Sequence, residues 1–494
     1  MEPFAWFDAR DYEVAREVLQ RGVAVLALIA FVSTLNQFRP LLGEHGLLPV
    51  PRLLAATQGR GRGPSVFRWG YSDRRLVVVA VAGVVLAASV VVGLPQLGPP
   101  WVPMLVLLAT WALYLSIVNV GQTFFGFGWE MLLCEALFTV AFLGSSQVPP
   151  PITIVVAVWW LVFRLEFGAG MIKIRGGREW RDLTALMYHH ETQPMPGPLS
   201  RQAHLLPAWF HRGEVLGNHV AQLVVPFLLF VPTLPVPALG QVPVGAIAAA
   251  VVILTQLWLI VTGNFAWLNW ITVVLAASAI PDRVWHAVVP AIPLDLASGA
   301  TDAAASPLWW IVVVLAASAL LLVLSWWPLR NLVSRRQLMN ASFNRWMLVN
   351  AYGAFGTVTK RRIEFVVEGA VDGSDGDGAA VEWREYGFKG KPGDVRAIPR
   401  QWAPYHLRLD WLMWFLPLGR MHEPWFAVFL LRLLEADAAT LRLLAHDPFG
   451  GRPPALVRVL AYRYRFATRA EFRELRVRWI RTLEGEVVPP TGLR

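Results

Sequence analysis

Leu76-Val-Val-Val-Ala-Val-Ala-Gly-Val-Val-Leu-Ala-Ala-Ser-Val-Val-Val-Gly-Leu94 contains no charged side chain and one hydroxyl. A helix of roughly 20 such residues is what a hydrocarbon core of about 30 Å demands, because inside it every backbone N–H and C=O must be satisfied within the segment. Leu308-Trp-Trp-Ile-Val-Val-Val-Leu-Ala-Ala-Ser-Ala-Leu-Leu-Leu-Val-Leu-Ser-Trp-Trp327 has the same character. Similar runs occur at 23–38, 103–120, 129–144, 152–172, 215–231, 244–262 and 267–280. Together they predict a polytopic all-α bundle of about nine spans, with the runs from Trp129 and Trp267 short enough to be tilted or re-entrant.

Composition agrees. Hydrophobic residues make up 55% of the 494, charged residues 16%, and mean hydropathy is +0.47, too little charge to cover a water-soluble surface of this size. The 24 tryptophans suit membrane–water boundaries. The net charge of +10 comes almost wholly from Arg, since Lys occurs only at Lys173, Lys360, Lys389 and Lys391. Such Arg usage accompanies GC-rich genomes and points to a bacterial plasma membrane. The charge is expected to meet lipid head groups, and no aromatic–basic ladder suggests nucleic acid. Cys134 is the sole cysteine, so dithiol exchange within the chain is excluded. The charged opening to Glu17 does not read as a cleavable signal peptide.

Three regions are expected. Residues 1–20, with Phe4, Trp6 and Phe7 among charges, read as an interfacial amphipathic helix. Residues 21–330 form the transmembrane domain, with hydrophilic loops 39–75 and 173–214. Residues 331–494 form a soluble α+β domain. In it, 363–368, 381–388 and 456–466 have strand character, and the acidic glycine loop 372–378 resembles a hairpin connection. Helices are expected at 406–418 and 424–436, a further element at 475–481, and little order in the last dozen residues. With a count of about nine spans, both long loops and the tail share one side. Loop 39–75 carries seven Arg and loop 173–214 carries Lys173 and five Arg, so the positive-inside rule places that side in the cytoplasm.

Polar residues within apolar sequence are candidate functional groups. Asn36, Gln37, Asn119, Gln122, Glu166, His219 and Asn264 form the expected membrane polar cluster. Glu130, Glu135, Arg164 and Lys173 are the candidates for chemistry, against the plainer alternative that Arg164 neutralises Glu130 or Glu135 between packed helices. The densest polar stretch holds Arg175, Trp180, Arg181, Asp182, Thr184, Tyr188, His189, His190, Glu191 and Gln193, with Asp182 a candidate cap for a helix from Leu183. Adjacent histidines diverge on a helix and no HExxH spacing follows, so no metal and no cofactor are expected. Glu44 and His45 read as solvated loop residues. No GxSxG elbow, P-loop or GxGxxG unit occurs in a suitable context.

Several blocks resemble the lipase maturation factor family. They are Gln20-Arg-Gly with Leu35-Asn-Gln-Phe-Arg-Pro-Leu-Leu-Gly-Glu-His-Gly-Leu-Leu-Pro49, and Val118-Asn-Val-Gly-Gln-Thr-Phe-Phe-Gly-Phe-Gly-Trp-Glu130. The longest is Phe167-Gly-Ala-Gly-Met-Ile-Lys-Ile-Arg-Gly176, continuing through Trp180-Arg-Asp-Leu-Thr-Ala-Leu-Met-Tyr-His-His-Glu-Thr-Gln-Pro194. Trp209-Phe-His211, Thr262-Gly-Asn264, Val349-Asn-Ala-Tyr-Gly353, Val366-Val-Glu-Gly369, Leu409-Asp-Trp411 and Asp447-Pro-Phe449 follow in order. The resemblance implies a membrane protein, in vertebrates of the endoplasmic reticulum, that brings secreted lipases to an active folded state. It implies that the 173–214 loop and the C-terminal domain face the lumen, equivalent to a bacterial exterior and opposite to the Arg count. It also implies that the loop engages the client, a secreted lipase or another exported protein. Gly176-Gly-Arg-Glu-Trp180 lacks the cysteines expected of vertebrate members. Trp402, Trp411, Trp414 and Trp425 are candidate client contacts. A fainter likeness to the transmembrane module of vitamin K-dependent carboxylases opens a second reading. It is a membrane enzyme acting on a lipid or quinone-like substrate, with Glu130, Glu135, Arg164 and Lys173 around a cavity.

Overall fold

The computed structural model describes residues 4–57, 63–236, 240–289, 305–371 and 382–493. Among them, six helices are long and apolar enough to cross a membrane, or up to seven if a bent pair counts as one span. These are α1 (Glu13–Leu42), α2 (Asp73–Val91), α3 (Trp101–Val120) and three further ones introduced below. α2 starts where the Ser72 hydroxyl accepts the Arg75 N–H and Asp73 meets the positive helix end. It packs closely on α1 because Gly83 has no side chain: a methyl there would lie 2.3 Å from the Phe31 ring.

The span count is lower than about nine because three apolar runs do not cross as single helices. α4 (Gly128–Val140) has 13 residues, all buried, and packs among α1, α3 and the long α5 (Ile152–Arg175). Its apolar character reflects burial in protein on every side rather than contact with lipid. α6 (Leu186–Thr192) lies in the 173–214 loop, and α7 (Ala208–Leu223) continues only as a short turn to Leu228. A hairpin of β1 (Leu234–Val236) and β2 (Gly240–Val242) leads to α8 (Val244–Thr262). α9 (Leu268–Ala276) extends to Ala279 and bends by 112° into Asp282–Val288, and the last candidate span runs from Leu308 to Val333.

The N-terminus is not a separate interfacial helix. Residues 13–20 are the first turns of α1, and two of the charges that suggested an interface, Glu13 and Arg16, are buried. Asp282 caps α1 by accepting the N–H groups of Glu13 and Val14 at 2.9 and 3.0 Å. Arg16 pairs with Glu13 and donates to the carbonyls of Ser145 and Val148 at 2.7 and 2.8 Å.

Beyond the last span, four antiparallel strands pair in the order β4-β3-β5-β6: β3 (Arg362–Ala370), β4 (Trp383–Glu385), β5 (Leu456–Phe466) and β6 (Trp479–Thr491). The expected strands at 363–368, 381–388 and 456–466 are there; in the second, Trp383–Glu385 pairs with β3 and Gly387 bridges His446. The acidic loop 372–378 lies outside the described residues. α10 (Arg408–Phe415) and α11 (Pro424–Leu434) occupy the two expected helical stretches. The C-terminal end differs from expectation: α12 (Arg469–Leu475) has a Thr468–Glu471 capping box, and the last residues continue as β6. β6 is an edge strand with little apolar alternation, so its pairing to β5 through backbone bonds leaves no pattern in its side chains.

Candidate functional site

The polar residues of the apolar segments fall into distinct constellations, and most of them join elements that are remote in sequence. In the first, Glu135 on α4 faces Arg164 on α5. The backbone N–H and side-chain amide of Asn350 donate to Glu135 Oε2 at 2.9 and 3.0 Å, and the Tyr352 hydroxyl does so at 2.8 Å. Arg164 in turn donates to the Asn350 carbonyl at 2.7 Å. Gly168 lets this segment approach α5, since a Cβ there would lie 2.5 Å from the Tyr352 carbonyl oxygen. The pair is closed, with every strong contact supplied by the chain itself.

In the second, Glu130 at the start of α4 accepts from Arg408 Nη1 at 2.6 Å and from the Tyr114 hydroxyl. Arg408 also donates to the Phe124 carbonyl at 2.8 Å, and its guanidinium carbon lies 3.4 Å from the Phe125 ring centre. His406 lies nearby, but burial lowers its pKa to about 4, so the imidazole is neutral and Arg408 is the counter-charge. Gln37 secures the same chain, accepting the Arg408 N–H at 2.9 Å and donating to the His406 carbonyl at 2.7 Å. Asn36 donates to the Tyr405 hydroxyl at 3.3 Å. Asn119 and Gln122 perform a similar task for the 39–75 loop, donating to the carbonyls of Pro64 and Leu48, each at 2.8 Å.

A third group joins the 173–214 loop to the C-terminal domain. Asn264 donates to the carbonyls of Pro196 and Arg400 at 3.1 and 3.0 Å and accepts the N–H groups of Trp402 and Ala403 at 2.7 and 2.9 Å. Arg362, fully buried at the start of β3, donates to the carbonyls of Glu191, Gln193 and Pro194. Glu191 accepts the Phe466 N–H at 2.7 Å, and Gln193 donates to the carbonyls of His190 and Thr262 at 3.0 and 2.8 Å. The loop is therefore bonded into the bundle and the sheet. Arg432 also donates to the His45 carbonyl at 2.9 Å, so both long loops touch the C-terminal domain.

Between α5, α7, α8, α9 and the C-terminal segments lies a cavity of about 1700 Å³. Its walls are mainly apolar and aromatic, including Trp129, Trp180, Phe265, Phe355, Trp411 and Trp414. A polar strip crosses one wall. Glu166 accepts from Gln222 and Gln256 at 3.1 and 2.8 Å, and Lys173 donates to Asn218 and Gln222 at 2.9 and 2.8 Å while its ammonium lies 4.7 Å from the Trp180 ring centre. Of the four residues expected to surround a cavity, only Lys173 lines it; Glu130, Glu135 and Arg164 do not. Glu166, assigned from sequence to the polar cluster, does.

The loop residues expected to meet a partner are largely committed elsewhere. Trp180 donates to the Phe355 carbonyl at 2.8 Å and its own carbonyl is met by His219 at 3.0 Å. Arg175 donates to Leu332 and Gln337 at 2.9 and 2.7 Å, Thr184 bonds Glu179, Lys360 lies over the Tyr188 ring, and His189 packs on Phe265 and Phe355. Arg181 and Asp182 alone of that set are exposed. Asp182 does not cap a helix from Leu183; it ends the short helix Arg178–Arg181 and pairs with Arg178 at 2.9 Å, while Leu183 takes a left-handed backbone. Trp411 and Trp425 are buried, Trp402 and Trp414 half-buried, and the indoles of the latter two donate to Lys389 and Thr192 carbonyls. Sequence reasoning missed Asn350, Tyr352, Arg362, His406 and Arg408 as partners of the bundle. Their signal was present in Val349-Asn-Ala-Tyr-Gly353 and in the polar residues before Leu409-Asp-Trp411, but only as blocks of resemblance.

The Lipase maturation factor transmembrane domain model matches residues 14–287, and the Lipase maturation factor C-terminal domain model matches residues 348–489. The chain belongs to the lipase maturation factor family. It is 37% identical to Lipase maturation factor 1 of Bos taurus over 98% of this chain and 90% of that protein, and 36% identical to the Homo sapiens protein of the same name over 97% and 88%. It is 28% identical to Lipase maturation factor 2 of Rattus norvegicus over 92% of the chain and 80% of that protein. No solved structure matches the chain. This family member is a multi-pass membrane protein, with the apolar helices described above as its spans.

Proposed function

We propose that this protein is a membrane-embedded maturation factor that holds incompletely folded exported proteins, secreted lipases first among them, beside the membrane. The observation that carries the reading is the match to proteins named lipase maturation factor along 98% of the chain. The tertiary arrangement supports it in two ways. The 173–214 loop, the bundle and the sheet are bonded into one platform, which suits a holding surface better than a mobile arm. The cavity rim carries exposed Trp209, Leu216, Val220 and Leu254, apolar surface of the kind that lipid or an unfinished partner covers. The exposed apolar faces of α2, α3 and the Leu308–Val333 span contact membrane lipids.

The test is deletion of the gene, followed by the amount and specific activity of each secreted lipase. Normal amount with collapsed specific activity is expected, restored by the wild-type gene and not by an Arg181→Ala/Asp182→Ala variant. Lipases of undiminished specific activity in the deletion strain would refute the lipase client.

The proposed location is the bacterial plasma membrane, with the loop and the C-terminal domain outside. Cys134 is fully buried, so the wild type offers no competing thiol. Arg473→Cys places a thiol on the exposed α12. A membrane-impermeant maleimide is expected to label it in intact cells, and labelling only after lysis would reverse the orientation.

A further inference from the structure

His190 and His211 have no part in the loop-to-sheet joints described above, yet both are almost fully buried. The His190 Nε2 lies 3.2 Å from Glu214 Oε1 and 3.4 Å from Oε2. His211, one turn before Glu214 on α7, places its Nδ1 3.2 Å from the same oxygen. The other carboxylate oxygen, Oε1, accepts the indole N–H of Trp258 on α8 at 2.6 Å. Among the described residues this is the group of three His, Cys, Asp or Glu side chains whose ligand atoms converge, all within 4.8 Å of one another.

The tautomer of His211 is constrained. Its Nε2 lies 3.3 Å from the His204 carbonyl oxygen, which can only accept, so the tautomer protonated on Nε2 makes this bond and leaves Nδ1 free to ligate. In a neutral ring of that tautomer Nδ1 presents a lone pair towards the Glu214 carboxylate, and a cation between the two satisfies both. A metal ion uses His190 Nε2, His211 Nδ1 and Glu214 Oε2 together. The two carboxylate–imidazole spacings fit: tetrahedral zinc bonds of about 2.0–2.1 Å put neighbouring ligand atoms roughly 3.3 Å apart, close to the 3.4 and 3.2 Å found here, and all three ligand atoms lie within 4.8 Å of one another. The surroundings fit as well, because ligating groups are ordinarily oriented by outer hydrogen bonds. The His204 carbonyl does this for His211 and the Trp258 indole for Glu214.

We propose that His190, His211 and Glu214 bind a divalent transition-metal ion of the zinc class. Two imidazoles and one carboxylate are a three-ligand set that zinc accepts with a fourth position left open. Glu214 also lines the large cavity, so the site lies at its edge. The ion ties α6 to α7 and, through Trp258, to α8, fixing the loop that carries the exposed Arg181 and Asp182. This assignment is independent of the client proposed above.

The test uses the full-length protein in detergent, purified without chelating resin. Mass-spectrometric metal analysis is expected to find about one equivalent of a transition metal per chain. Chelator-stripped wild type should rebind Zn²⁺, and with Co²⁺ should develop the visible absorption of a tetrahedral site. His211→Ala should abolish that uptake, and Trp258→Phe, which keeps all three ligands, should weaken Zn²⁺ binding by about 10–100-fold. Should His211→Ala fail to fold, X-ray absorption on the Zn²⁺-loaded wild type reads the two imidazoles directly. Stripped wild type that stays folded and binds neither ion overturns the proposal, as does uptake that His211→Ala leaves unchanged.

Discussion

Arg408→Met is expected to destabilise the folded protein by about 3–5 kcal/mol, the cost of leaving a buried carboxylate without its counter-charge. Glu130 is fully buried, and its other neighbours are the Tyr114 hydroxyl and a neutral His406. The substitution also strips a donor from the Phe124 carbonyl and the cation from the Phe125 face. Thermal unfolding in detergent reads the loss as a large fall in midpoint. Glu130→Gln combined with Arg408→Met should be less damaging than the sum of the two single changes, because the double variant buries no charge at this pair. Additive losses would show that the two residues act separately and that the pair does not join α4 to the C-terminal domain.

Asn264→Ala is expected to produce the second large effect, with a different signature. One side chain satisfies two carbonyls and two N–H groups belonging to the 173–214 loop and the C-terminal domain. Each buried backbone group left without a partner costs about 1–3 kcal/mol, and water entering the gap recovers part of that. The expected outcome is local release. Protease cleavage around the exposed Arg396–Arg400 segment should accelerate by more than tenfold while the bundle remains folded. Asn264→Asp keeps the two acceptor bonds but sets a buried carboxylate oxygen against the Pro196 and Arg400 carbonyls, so its cleavage rate should rise at least as much as that of Asn264→Ala. A cleavage rate equal to wild type in Asn264→Ala would mean that Arg362, Glu191 and Arg201 suffice to hold the loop to the sheet.

The most legible parts of this chain were those whose signal is local. Hydrophobic run length identifies a bilayer span because hydrocarbon forbids unsatisfied backbone, and six such runs are long helices here. Run length does not separate a helix surrounded by lipid from one surrounded by protein. Gly128–Val140 is as apolar as a span and is buried on all sides, so it was counted as a crossing. Strand β5 was legible to the residue because Leu456–Phe466 combines β-branched and aromatic side chains. β6 was not legible, because an exposed edge strand is held by its neighbour's backbone and needs no pattern of its own.

By itself, the sequence determined the membrane class, the helical bundle with an α+β domain after it, the absence of internal disulfide chemistry, and the family blocks. It also named most of the polar residues that matter, since an Asn, Glu or Arg within an apolar run is costly wherever its partner lies. Partner choice was decided only by the tertiary structure. Glu135 meets Arg164 across 29 positions, while Glu130 meets Arg408 across 278. His190 meets Glu214, and Asn264 reaches Arg400, by the same kind of long-range closure. Coulomb attraction and hydrogen bonding act over a few ångströms, and no spacing rule along the chain encodes which remote side chain the packing of the helices delivers to that distance.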